Sequence, residues 1–85
     1  MPYRVELETK ALKEFRALPK ERRALIGDIF DDLQRDPRPP GAKKLSGVDG
    51  YRIRSGDYRI LYTIADGPRL VRVFKVGHRR DVYRR

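Results

Sequence analysis

The sequence contains no cysteine. That excludes a disulfide framework, a thiolate metal site and a thiol nucleophile, and it suits a reducing, cytoplasmic setting. It also lacks any long apolar run, and no stretch approaches the ~18 apolar residues of a membrane span, so no membrane role is expected. Charge recurs at every second position near the start, at Arg4, Glu6 and Glu8, which leaves no apolar segment for a signal peptide. Histidine is scarce, a single residue at position 78. The acidic residues Asp28, Asp31 and Asp32 crowd one helical turn with no histidine near them in sequence, which argues against a metal site. There is no phosphate-cradling loop of the P-loop type, no Ser/His/Asp pattern, no internal repeat and no low-complexity segment.

What is present is enough for one domain spanning 1–85. A chain this short buries roughly 60–65% of its unfolded surface, so the core is thin. Hydrophobic residues make up 39% and aromatics 9%, which separates the chain from disordered compositions. The net charge of +9 is unevenly placed: residues 1–42 carry nine Lys/Arg against eight Asp/Glu, whereas residues 43–85 carry twelve against four. A half-domain with that excess suits a polyanion such as nucleic acid, or an acidic protein; otherwise it is a solvated cationic surface.

Tyr3, Val5 and Leu7 alternate with charged residues, the period of a half-buried strand. Thr9 is an N-cap candidate for a short helix over 10–18, with Ala11, Leu12, Phe15 and Leu18 on its apolar face. Pro19 punctuates, and a second helix runs from about Lys20 to about Gln34 with Leu25 or Ile26, then Ile29, Phe30 and Leu33 inward. Glu14 and Glu21 are expected on outer faces beside basic neighbours. Asp36-Pro37-Arg38-Pro39-Pro40-Gly41 ends the helix, because proline cannot continue it. From Tyr51 the period returns to two: Tyr51–Arg54, a turn at Ser55-Gly56-Asp57, Tyr58–Ile64, a turn at Asp66-Gly67-Pro68, and a third strand from Leu70 to Val76. The expected class is α+β: an N-terminal strand, a two-helix hairpin, then a three-stranded antiparallel meander, forming one four-stranded sheet with the helices on one face.

Tyr51, Ile53, Ile60 and Val73 are the candidates to pack against the helices. Arg52, Arg54 and Arg59 then fall on the other face. Like charges opposite one another destabilise a sheet, so such a gathering points to an anionic ligand, and the guanidinium fork suits phosphate. The alternative is that these arginines splay into water or pair with Asp49, Asp57 and Asp66. The tail from Val76 to Arg85 joins His78, Arg79, Arg80 and Tyr83, and Gly77 marks a tight bend or close backbone approach after the strand. Its alternatives are an ordinary surface histidine, a packing tyrosine and a frayed end.

Five stretches in order carry a resemblance over the whole chain: Ala11-Leu12-Lys13-Glu14-Phe15 with Leu18-Pro19; Pro39-Pro40-Gly41-Ala42-Lys43-Lys44-Leu45; Tyr51-Arg52-Ile53-Arg54; Gly56-Asp57-Tyr58-Arg59-Ile60-Leu61-Tyr62; and Val76-Gly77-His78-Arg79-Arg80-Asp81-Val82-Tyr83. Together they resemble the RelE/ParE superfamily of type II toxins, closest to RelE-like mRNA interferases. The resemblance implies a ribosome-dependent endoribonuclease that cuts mRNA in the A site, by attack of a ribose 2′-hydroxyl on the adjacent phosphate, with neither cofactor nor metal. It implies that Arg59 holds the scissile phosphate, Arg79 stabilises the transition state, and Tyr83 stacks on a base or orients the hydroxyl. Lys43, Lys44, Arg52, Arg54 and Arg80 are the implied RNA-binding residues. Arg52 and Arg54 stand where well-studied members have lysines. Arginine is a poor base, so His78 is left as the expected proton-moving group, histidine being the residue type that titrates nearest neutrality. The implied partners are a cognate antitoxin, the ribosome and mRNA, with operator DNA bound only through the antitoxin complex. The alternatives within the superfamily are a ParE-like DNA gyrase inhibitor and an inactive paralogue that only binds antitoxin.

Overall fold

The alternation at the N-terminus produces β1 (Arg4–Leu7), and the helical spacing that follows produces α1 (Thr9–Arg16) and α2 (Lys20–Arg35), in a computed structural model that describes residues 2–80. Glu8, not Thr9, occupies the N-cap of α1, and it makes no side-chain cap bond. Pro19 stands just before α2, where its missing N–H costs nothing. The later elements are β2 (Lys43–Lys44), β3 (Tyr51–Ser55), β4 (Tyr58–Ala65) and β5 (Leu70–His78).

The sheet has five strands in the order β1-β5-β4-β3-β2. This corrects the expected sheet in two ways. Lys43 and Lys44 add an edge strand antiparallel to β3, and β1 pairs with β5 in parallel, so the sheet is mixed. Two residues carry no detectable period, and a parallel pairing between distant segments leaves no local mark. The parallel direction follows from the path of the chain, because the helical hairpin returns it to the starting end of the sheet before the meander begins.

Ala11, Leu18, Ile26, Leu33, Ile60, Tyr62, Val71, Val73 and Val76 form the buried cluster between the helices and one sheet face. Burying each larger side chain contributes about 1.5–3 kcal/mol. Ile26, not Leu25, is the inward residue, since Leu25 is 50% exposed. Phe15 and Phe30 join the two helices with ring centroids 5.4 Å apart. Tyr51 and Ile53 pack on the cluster from the sheet, as do the buried Ile60 and Val73.

Two polar devices close the frame. β1 stops at Leu7, which leaves the far end of β5 without a strand neighbour on that side. Glu14 of α1 fills the gap: its carboxylate accepts the Val76 N–H at 3.1 Å and the Lys75 ammonium at 2.6 Å. Glu14 therefore faces the sheet and not the outer surface, because an unpaired strand donor there needs an acceptor. At the other end of β4, Arg38 donates to both oxygens of Asp66, at 3.2 and 3.0 Å, and Tyr3 donates to the same carboxylate at 2.6 Å. These bonds hold the Asp66 carboxyl below the usual carboxylate range, the Arg38 bond contributing most. Arg38 also lies over the Tyr51 ring, 5.5 Å from its centroid. Tyr62, fully buried, donates to the Pro37 carbonyl at 2.9 Å, and burial pushes its phenol up to about 12.

Candidate functional site

The β3–β4 hairpin turns through Gly56 and Asp57, with Ser55 opposite Tyr58. Gly56 has φ of +59°, while Asp57 is not among the positive-φ residues, which is the pattern of a type II′ turn with glycine first. This register sets every side chain that follows. Tyr51, Ile53, Ile60 and Tyr62 face the helices, so Arg52, Arg54 and Arg59 share the open face. Arg54 stands directly across from Arg59, and Arg52 lies two residues along β3, about 7 Å away. On the far side of Arg59 the register partner is Gly77, which presents no side chain.

Like charges placed across a strand pair are unfavourable. Among the described residues none of Arg52, Arg54 and Arg59 forms an ion pair, and Asp66 is committed to Arg38 and Tyr3. The Nε of Arg59 is buried with no hydrogen-bond partner among the described residues. A buried, unpartnered donor on a cation is costly in a free protein and becomes favourable once an anion docks. Lys43 and Lys44 add exposed ammonium groups on the edge strand, opposite Arg52 and Tyr51.

The end of β5 departs from the sequence reading. The pairing with β4 slips between Leu61 and Tyr62: Leu61 opposes Lys75, Tyr62 opposes Val73, and Phe74 is the extra residue. This bulge changes the phase of β5. Val71 and Val73 face the core before it, and Val76 does so after it. His78 consequently lies on the helix side, edge-on to Tyr58 at 5.6 Å, while Gly77 takes the place beside Arg59. His78 therefore stands on the face opposite to Arg52, Arg54 and Arg59. Its Nδ1 instead accepts the Arg80 N–H at 3.2 Å.

Arg79 and Arg80 are exposed just beyond β5, and the Arg79 N–H donates to the Asp57 carbonyl at 2.7 Å. That bond ties the strand end to the hairpin turn and fixes where Arg79 begins. Arg22, which the sequence reading passed over, braces the same turn from α2. It donates to the Ser55 carbonyl at 3.2 Å and lies 5.2 Å from the Tyr58 ring centroid. Tyr83, expected to stack on a base, lies outside the described residues. The arrangement can bind a phosphate through several guanidiniums at once and neutralise charge developing on it.

The comparisons agree with this fold. The family described as the ParE toxin of type II toxin-antitoxin systems, parDE, matches residues 5–83. Toxin RelG of Mycobacterium tuberculosis is 37% identical over 89 residues, covering 100% of both chains. Among solved structures, the toxin-antitoxin complex RelBE2 of Mycobacterium tuberculosis superposes with a TM-score of 0.82 at 31% identity, over 92% of this chain and 99% of that one. The intact E. coli RelBE toxin-antitoxin complex gives 0.79 at 33% identity, over 89% and 95%. A hairpin of helices on one side of a mixed sheet, arginines on the other, and a family match running almost end to end make this chain a member of the RelE/ParE superfamily of type II toxins.

Proposed function

We propose that the chain is a ribosome-dependent endoribonuclease that cuts mRNA in the A site. The carrying observation is the open-face row of Arg52, Arg54 and Arg59, with the buried Arg59 Nε lacking a partner among the described residues. The ribose 2′-oxygen attacks the adjacent phosphorus and loses its proton. The bond from phosphorus to the 5′-oxygen breaks, and that oxygen takes up a proton. The products are a cyclic phosphate and a free 5′-hydroxyl. Arg59 and Arg54 hold the phosphate, Arg79 meets the charge on the leaving oxygen from the adjoining end of β5, and Tyr83 stacks on a base or orients the hydroxyl. Arg52, Arg80, Lys43 and Lys44 bind the flanking chain. Side chains supply the cationic stabilisation without a metal. His78 is assigned support of Tyr58 and not proton transfer, because its ring lies across the sheet from Arg52, Arg54 and Arg59.

The partner that restrains the chain is a cognate antitoxin, a reading supported by the likeness to the RelBE2 and E. coli RelBE toxin-antitoxin complexes; operator DNA is met only through such a complex. The site of action is the cytoplasm, with the ribosome.

A second reading, inhibition of DNA gyrase, is favoured by the ParE description of the matching family. One experiment separates them. The chain is induced in cells and mRNA 5′ ends are mapped, with Arg79→Ala as the matched control. New ends within translated codons that vanish in Arg79→Ala support the RNase. Arrest with damaged DNA and intact messages supports the gyrase inhibitor and overturns the RNase. No arrest identifies an inactive paralogue.

A further inference from the structure

Beside the arginine row the open face carries a cleft of about 410 Å³. Leu61 and Phe74 form its floor, Leu45 and Val48 its wall, and Lys44 and Arg52 its rim; among the described residues no carboxylate lines it. We propose that this cleft is a subsite for one nucleobase of the RNA whose phosphate the arginine row holds, a proposal that rests on the RNA-cutting reading above.

The cleft is built by the fold. Phe74 is the extra residue of the β5 bulge, and bulges commonly re-aim a side chain beside a site. The wall is a loop closed by the Leu45 N–H donating to the Gly50 carbonyl at 2.9 Å. It lies this close to the sheet because Gly50 has no side chain. A Cβ there would stand 2.9 Å from the Tyr62 carbonyl oxygen and 3.4 Å from Phe74 Cε2. Val48, 63% exposed, keeps one wall open to solvent.

The chemistry selects the occupant. A base has apolar faces and a polar edge rich in acceptors. The cleft has an aromatic and aliphatic floor, with donors at the rim. An apolar peptide side chain would make no use of the Arg52 guanidinium. Arg52 lies two residues from Arg54 along β3, about 7 Å, so a strand whose phosphate sits between Arg54 and Arg59 has a neighbouring base within reach of the cleft. A cationic track flanked by a stacking platform is the usual design for binding single strands.

The test uses ribosomes programmed with two messages, one complete and one abasic at the nucleotide beside the cleaved bond. The parent chain is expected to cut the complete message on the order of tenfold faster in kcat/KM, the usual increment of one stacked base. The ratio should fall toward one in Val48→Glu and in Phe74→Leu, and should keep its parent value in Leu25→Glu on the exposed side of α2. Equal cutting of both messages by the parent overturns the base subsite and leaves the arginine row standing. Cutting of neither message, by a chain with an intact circular dichroism spectrum, overturns the RNA-cutting reading and the subsite with it. If Val48→Glu keeps the full ratio yet escapes inhibition by an antitoxin, the cleft belongs to a protein partner and the proposal is overturned.

Discussion

Arg59→Met should make the protein more stable while removing its grip on phosphate. Methionine keeps an unbranched apolar stem of similar reach and deletes the guanidinium. The parent carries a buried Nε without a partner among the described residues, and such a group costs about 1–3 kcal/mol. It also faces Arg54 directly across the strand pair, a like-charge placement worth about 0.2–1 kcal/mol. Part of this is returned in lost contacts of the guanidinium, so the expected gain is about 1–3 kcal/mol. For a domain of this size that raises the unfolding midpoint by about 5–15 °C. The assay is thermal and urea unfolding of parent, Arg59→Met and Arg59→Lys in low salt, repeated with inorganic phosphate. Arg59→Lys keeps the charge and should gain little. Added phosphate should raise the parent's midpoint by mass action and leave Arg59→Met unmoved. A methionine variant that melts at or below the parent refutes the reasoning, because the row would then be comfortable without an anion.

Glu14→Ala removes the acceptor for the Val76 N–H and the partner of Lys75, at side chains only 22% and 18% exposed, and should destabilise by about 1.5–3 kcal/mol in urea unfolding. Glu14→Gln retains one acceptor and should lose less; an alanine variant indistinguishable from the parent would show that water serves the strand edge equally well. Tyr62→Phe should cost about 0.5–1.5 kcal/mol at pH 8 through the lost bond to Pro37. Because burial pushes the Tyr62 phenol up to about 12, its contribution is complete below the unfolded value near pH 10 and is lost as pH rises through the folded one. Unfolding free energies measured from pH 10 upward should therefore fall more steeply for the parent than for Tyr62→Phe, and parallel slopes would contradict this. Gly50→Ala should destabilise by about 1–3 kcal/mol by thermal melting, since φ is +131° and the new Cβ meets the Tyr62 carbonyl at 2.9 Å; an unchanged melt would mean that the loop can lift away from the sheet.

Local periodicity made most of the frame legible. The alternation around Val5, Ile53 and Ile60 and the helical spacing of Ala11, Phe15, Ile26 and Leu33 each report a buried face. The arginine row followed from the same logic, because Arg52, Arg54 and Arg59 occupy the complementary positions of a tightly turned hairpin. What escaped has physical reasons. Lys43–Lys44 is too short to show a period. Glu14 reaches residues more than 60 positions away, and Arg38 reaches one 28 positions away, which no local pattern encodes. The bulge at Phe74 is marked by neither glycine nor proline, so nothing local reveals the change of phase that turns His78 toward Tyr58. Arg22 looked like any cation on a solvated helix until the hairpin turn was placed beside it.

The irregularity at Phe74 acts on the protein as a frame-setting base acts on a gene. Were the strand to pair regularly with Phe74 kept in the ladder opposite Leu61, everything after it would be threaded inside out: Val76 would meet water, Lys75 would be driven toward oil, and His78 would swing to the side now held by Gly77. A one-residue deletion between Lys75 and Gly77 should therefore be poorly tolerated, whereas loss of Phe74 itself keeps Val76 and His78 on their present face. Homologues that differ in length are expected to differ in the loops at Gly47 or Gly67 instead.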